Sequence, residues 1–286
     1  MKRVHTLEFE DLAWFPDWLR DAMTRVLVVF SRLVGVPAGL AAVLSRVLRE
    51  ERLDRVVDLG SGAGGVMPEV LDRIRQQAGL ADVKLLLSDL YPNRDTIEAI
   101  RAQGRPALSY RAEPLSALDL EGAPAGLKTM VNCFHHMRPK EARAILESAQ
   151  RNRQPLLVYE IAEPPMPFAL WCLGLPLNLA FVATMALLLT PFVRPLSFRQ
   201  LFFTYVIPLV PLFYAWDGAA SVPRVYGRDD LDELLGDMRI DDYVWETGRA
   251  EKGQGTGFYL LGRPLPRRPE TQTPAAYENA SFRSSS

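Results

Sequence analysis

The chain has 286 residues, with 33 Lys+Arg against 34 Asp+Glu and a formal net charge of −1. That balance argues against a general nucleic-acid binder, which needs surplus basic charge to displace counterions. An apolar share of 48% excludes global disorder, and two cysteines, Cys133 and Cys172, exclude a disulfide framework and a four-Cys zinc site. A reduced, intracellular chain is the simplest reading.

The first residues carry His5, Glu8, Glu10, Asp11, Asp17 and Asp21, which is too acidic for a secretory signal. Residues 8–50 read as helical. Trp14, Phe15, Trp18, Leu19, Met23, Val26, Leu27 and Phe30 recur at helical spacing, with Pro16 in the first turn, and a second helix covers 38–50. This makes 1–50 a helical cap. From Asp54 the pattern changes. Short apolar runs at 55–59, 83–88, 107–111, 127–132 and 155–160 read as strands. They alternate with helical stretches at 65–77, 93–103 and 139–151. Such alternation implies a parallel sheet with helices on both faces, an α/β core over 51–163.

Residues 164–193 contain no charge, and after Arg194 and Arg199 another uncharged stretch covers 200–216. The first is long enough to cross a bilayer, which takes about 20 apolar residues. Pro164, Pro165, Pro167, Pro176, Pro191, Pro195, Pro208 and Pro211 are expected to break or kink helices here. The segment 164–216 is therefore either a membrane element or an apolar lid. A hairpin with both ends cytoplasmic would put Arg194 and Arg199 on the far side, against the positive-inside tendency. An element lying in the interface, with the arginines reaching headgroups, fits better. This predicts association with the cytoplasmic side of a membrane; the alternative is a cytoplasmic protein. Beyond it, Asp217, Ser221, Arg224 and Tyr226 either fasten the segment to the domain or face the substrate. A short helix at 228–236 and strands at 240–246 and 257–262, joined as a hairpin, complete the core over 217–262. Residues 263–286 read as a disordered tail.

The sharpest signal is Val56-Val57-Asp58-Leu59-Gly60-Ser61-Gly62-Ala63-Gly64-Gly65, between a strand and a helix. Its glycines permit a tight turn and close backbone approach to a ligand, and the helix start adds unpaired N–H groups. Asp89 ends the next strand, where an acid can accept hydrogen bonds from ribose hydroxyls. Gly60, Gly62 and Gly65 match a dinucleotide fingerprint. However, Asp58 stands where such sites are usually apolar, no second nucleotide-binding half follows, and the last two strands read as antiparallel.

On these residues the chain resembles the class I S-adenosylmethionine-dependent methyltransferases. The likeness covers about 53–163 and 226–262. It implies a Rossmann-like α/β fold, a seven-stranded sheet with an antiparallel last strand, and here a hydrophobic helical insertion between strands 5 and 6. Asp58, Gly60, Ser61, Gly62 and Gly64 match the family's first loop, and Ser88-Asp89-Leu90-Tyr91 its ribose acid. Glu113 falls where the family often has an acid near the adenine amine. Asn132-Cys133-Phe134-His135-His136-Met137 resembles the strand end that lines the methyl-transfer cleft. The cofactor-binding set implied is Asp58, Gly60, Ser61, Gly62, Gly64, Asp89, Leu90, Glu113 and Asn132. Phe9-Glu10-Asp11, Trp14-Phe15-Pro16 and Trp216-Asp217-Gly218 resemble an uncharacterised bacterial branch of that family.

Methyl transfer needs a base only where the acceptor must lose a proton. His135, His136 and Glu160, at strand ends facing the crevice, are the candidate catalytic residues. No metal-ligand spacing is visible, so no metal is expected. The expected activity is methyl transfer from S-adenosylmethionine to a small hydrophobic or lipid-like acceptor. The alternatives are an NAD(P)-dependent oxidoreductase and a membrane-anchored nucleoside-binding protein without catalysis.

Overall fold

Strands β1 (Arg55–Leu59), β2 (Lys84–Ser88), β3 (Leu108–Tyr110), β4 (Leu127–Val131) and β5 (Leu156–Glu160) pair in parallel in a computed structural model that describes residues 1–162, 167–238, 242–250 and 256–265. Two further strands, β6 (Tyr243–Arg249) and β7 (Phe258–Pro264), form an antiparallel hairpin. β7 inserts beside β5, giving the order β3-β2-β1-β4-β5-β7-β6. This is the seven-stranded mixed sheet that the resemblance implies. Every residue of β5 is buried, as expected for a strand covered on both faces.

Alternate side chains point to opposite faces of a strand. Val56 enters one core with Leu40, Leu44, Val47 and Val70 from α2 (Val36–Glu50) and α3 (Met67–Arg75). Val57 enters the other, with Ile145 and Leu146 from α5 (Pro139–Arg151) and Leu231 and Leu234 from α9 (Arg228–Leu235). Helix α4 (Arg94–Ala102) follows β2, its first turn capped by Asn93, whose side chain accepts from the Thr96 N–H.

The segment between β5 and β6 holds α6 (Phe168–Leu189), α7 (Phe198–Tyr205) and α8 (Leu209–Ser221). With α1 (Asp17–Leu33) they build a third core from Phe15, Leu19, Val26, Ala186, Leu189 and Val210. Two expectations are corrected here. Helix α6 runs through Pro176 unbroken. Trp171 before the proline donates to the Ala219 carbonyl, and Val182 after it lies against Gly218, so α8 braces both sides. The apolar unit also extends past 216, because α8 continues to Ser221.

The N-terminus differs too. Residues 8–16 are not helical beyond a single 3-10 turn, Phe9–Asp11, and α1 starts only after Pro16. The Phe9 and Glu10 N–H groups donate to the Asp217 carboxylate at 2.8 and 3.1 Å instead of entering a helix. The first expected edge strand, 240–246, is shifted to Tyr243–Arg249. Residues 163–166, 239–241, 251–255 and 266–286, on which parts of these expectations fall, lie outside the described residues.

Gly126 precedes β4 with φ +137°, and a Cβ there would lie 2.7 Å from the Arg55 carbonyl oxygen on the neighbouring strand. Gly126→Ala is expected to cost about 2–4 kcal/mol, from backbone strain and displacement of β1. A lowered urea midpoint with unchanged slope is the readout.

Candidate active site at the carboxyl ends of the strands

The glycine loop leaves β1 and turns over the end of β2. Gly60, Gly62, Gly64 and Gly65 all have positive φ. Gly60 also faces a close neighbour: a Cβ would stand 3.2 Å from Cys133 Sγ. At Gly62 and Gly65 a Cβ would meet nothing within 4 Å, so the loop's outer surface is open. The loop is tied down from below. Tyr110 donates its hydroxyl to the Gly62 carbonyl at 2.9 Å, and the Gly62 N–H donates to Asp89 Oδ2 at 2.8 Å.

Asp58 is the hub beneath the loop. It is 3% exposed, and it accepts from Ser61 Oγ and Thr129 Oγ1, each at 2.6 Å. The Ser88 hydroxyl donates to its carbonyl at 2.7 Å. Asp58, expected among the ligand-binding residues, is buried beneath the loop and shapes it from inside. Ser61 faces inward with it. Burial pushes the Asp58 carboxyl up to about 7, against the pull of the two hydroxyl donors.

Asp89 is half-buried at the end of β2; Oδ1 accepts the Tyr91 N–H at 2.8 Å. Each of its oxygens takes one protein donor and keeps one lone pair for a ligand. Leu90 is exposed beside it, and Glu113 is exposed past β3 with the Arg111 guanidinium 3.9 Å away. Asn132 ends β4 with φ +53°, its Oδ1 accepting the Ile161 N–H at 3.4 Å. The loop, Asp89 and Asn132 therefore stand at neighbouring strand ends.

The sequence treats His135 and His136 alike; the structure separates them. His135 is 3% exposed, and its Nδ1 lies 2.8 Å from Glu160 Oε2 while its N–H donates to Glu160 Oε1. Its other ring nitrogen, Nε2, has no protein hydrogen bond among the described residues. His136 has a different task. Its Nδ1 lies 2.7 Å from Asp11 Oδ1 and 3.3 Å from Glu8 Oε2, and its Nε2 lies 3.6 Å from Glu10 Oε1. With both ring nitrogens facing carboxylates, His136 docks the N-terminal segment and is not a free proton acceptor.

The sequence reading missed Glu8, Asp11 and Arg224 as partners. Arg224, with no exposed surface, places Nη1 3.1 Å from Glu8 Oε2 and 2.7 Å from Asp11 Oδ2. Burial drives the Glu8 carboxyl up to about 9 despite Arg224. Burial also pushes Asp11 up, but His136 and Arg224 outweigh it and hold that carboxyl below the usual range. Glu8, His135 and His136 offer ligand atoms within 4.8 Å of one another, a grouping that chain spacing does not reveal. Asp217 and Arg224 do fasten the apolar segment, and they do so through residues 8–11.

No protein-family model matches the chain, and no curated protein matches it. Solved structures do. PigF with SAH aligns at 11% identity and a TM-score of 0.49, over 90% of this chain and 62% of that one. The mitomycin 7-O-methyltransferase MmcR gives 16% and 0.48, over 91% and 61%. Human N-acetylserotonin methyltransferase (ASMT), in complex with SAM, gives 11% and 0.47, over 87% and 57%. The chain spans about three-fifths of the length of these proteins. Likeness at this level concerns the path of the chain and transfers no substrate.

Because the Asp58 pKa rises from 3.8 to about 7 on folding, the folded state holds that proton more tightly than the unfolded one. This stabilisation is complete below about pH 4 and declines as pH rises through about 7. Asp58→Asn is expected to flatten the melting temperature across that window; an unchanged slope would place the titration elsewhere.

Proposed function

We propose that this protein transfers a methyl group from S-adenosylmethionine to a small hydrophobic or lipid-like acceptor. One observation carries the reading: an open glycine loop and the Asp89 carboxylate stand at strand ends adjoining an oriented His135–Glu160 pair. The residues fit a nucleoside. A Cβ at Gly62 or Gly65 would meet no protein atom within 4 Å, which admits close backbone approach, and Asp89 keeps acceptor capacity for hydroxyls.

When bound, S-adenosylmethionine supplies a methyl group on a positively charged sulfur, open to in-line displacement. Gly60, Gly62 and Gly64 form the surface that receives it, and Asp89 would hold the ribose, with Leu90, Glu113 and Asn132 as flanking contacts. His135 is the proton acceptor for an acceptor group that must be deprotonated, taking the proton on Nε2. Glu160, at Nδ1, holds the ring in place and steadies the charge that results. The acceptor class is supported by the apolar helices α6 to α8 that follow directly from the β5 end bearing Glu160.

S-adenosylhomocysteine is expected to raise the melting temperature and NAD to leave it unchanged, since a ligand selective for the native state stabilises it. Asp89→Ala should weaken the S-adenosylhomocysteine interaction by about 1.5–3 kcal/mol, the range for hydrogen bonds to a charged group. A shift by NAD alone would sink the methyl-transfer reading and favour an oxidoreductase.

His135→Ala should lower turnover of a hydroxyl-bearing acceptor by about 10²–10⁴-fold while S-adenosylhomocysteine affinity is kept. The assay is uptake of labelled methyl by fractionated cell lipids and metabolites. Glu160→Gln should fall between wild type and His135→Ala, because it leaves the ring in place but removes the carboxylate that orients it.

A further inference from the structure

Helix α6 carries a stripe of apolar side chains that nothing among the described residues covers. Leu173, Leu177, Phe181 and Leu188 are 80%, 78%, 60% and 62% exposed. At 100° per residue they fall within one narrow arc of the helix. Phe198 on α7 and Leu212 on α8 extend the same exposure. The span Phe168–Phe192 has a hydropathy of 2.1 with only 11% of its most apolar window buried, a value suited to hydrocarbon and not to water.

By length α6 could cross a bilayer, but its two ends are held by one domain. Its N-terminal end follows β5, whose last residue is Glu160 at the active site. Its C-terminal end leads to Arg194 and Pro195, which line a cleft of about 500 Å³ with Gly64, Gly65 and Pro68 beside the glycine loop. The α7 start is pinned as well. Gln200 donates to the Ala22 carbonyl at 3.2 Å, and the Arg199 guanidinium lies 5.2 Å from the Trp18 ring. Strands β1 and β5 end at the same edge of the sheet, so α6 starts and finishes on the same face of the domain. A crossing helix would put about 30 Å of hydrocarbon between those ends.

We infer that α6, α7 and α8 form an in-plane docking surface for an anionic lipid bilayer, with α6 lying in the interface and not spanning it. Charge chooses lipid over a second copy of the chain. Arg194 and Arg199 are the only charged residues in 167–216, and both are exposed. A cationic fringe around an apolar stripe complements anionic headgroups, whereas pairing two such faces brings like charges together. Taken with the methyl-transfer reading, on which this last point rests, docking turns the carboxyl ends of the strands toward the bilayer that dissolves the acceptor.

The test uses the full chain without cofactor, so its outcome is independent of the methyl-transfer reading. Wild-type protein is mixed with preformed sealed vesicles of phosphatidylcholine, with or without phosphatidylglycerol, and floated on a density gradient. It should float with the phosphatidylglycerol vesicles and at least about tenfold less with pure phosphatidylcholine. The double variant Leu173→Glu/Leu177→Glu alters only exposed side chains. It should keep the wild-type melting temperature and lose flotation at least about tenfold. In a Cys172→Ser background, Leu196→Cys reports the α6–α7 connection. An impermeant maleimide added outside the vesicles should label it fully in the bound state. Protection of that cysteine would mean α6 crosses and would overturn the in-plane assignment. A monodisperse dimer that ignores both vesicle types would show that a second copy covers the stripe.

Discussion

A guanidinium with no exposed surface sits where three distant parts of the chain meet. Arg224 follows α8, reaches Glu8 and Asp11 of the N-terminal segment, and through Asp11 stands beside His136 after β4. A buried cation needs a nearby carboxylate, and Asp11 answers Arg224 at 2.7 Å. The cluster fixes residues 8–11 against α8 and against the strand ends, and so sets the apolar helices relative to the crevice. Asp217 completes the arrangement by accepting the N–H groups of Phe9 and Glu10, which would otherwise lie unpaired.

A second buried acid organises the other half of the site. Asp58 gathers hydroxyls from the glycine loop and from β4, and its own carbonyl takes one from β2. The loop is thus rigid beneath and open above. Rigidity matters because a backbone surface can recognise a ligand only if its shape exists before the ligand arrives. His135 is prepared in the same way. Glu160 meets both its backbone N–H and its ring Nδ1, which fixes the ring's place with one side chain.

The apolar layer and the charged cluster depend on each other. Helix α8 presents Val210 to the third core at one end and Asp217 to the N-terminal segment at the other. Its exposed outer residues continue the stripe on α6. One short helix thereby joins an apolar outer surface to the residues that dock beside His135.

The sequence by itself determined the alternation of strands and helices, the place of the glycine loop and the acid at the end of β2. These are local signals: period-two and helical spacing, and glycines that permit positive φ. It also determined that 164–216 is too apolar for ordinary solvent exposure. Only the tertiary structure decided what each polar residue does. Glu8, Asp11 and Arg224 are far apart in the chain, and charge pairing carries no periodicity to read. His135 and His136 are adjacent in sequence and their rings lie 4.3 Å apart, yet one meets Glu160 and the other the N-terminal acids, partners that only the fold brings to them. Asp58 reads as a ligand contact in the sequence, but the fold buries it beneath the loop against Ser61 and Thr129. Whether residues 8–16 form a helix was decided in the same way: their amphipathic pattern permits one, but Pro16 and the Asp217 carboxylate give the backbone a better-satisfied extended path.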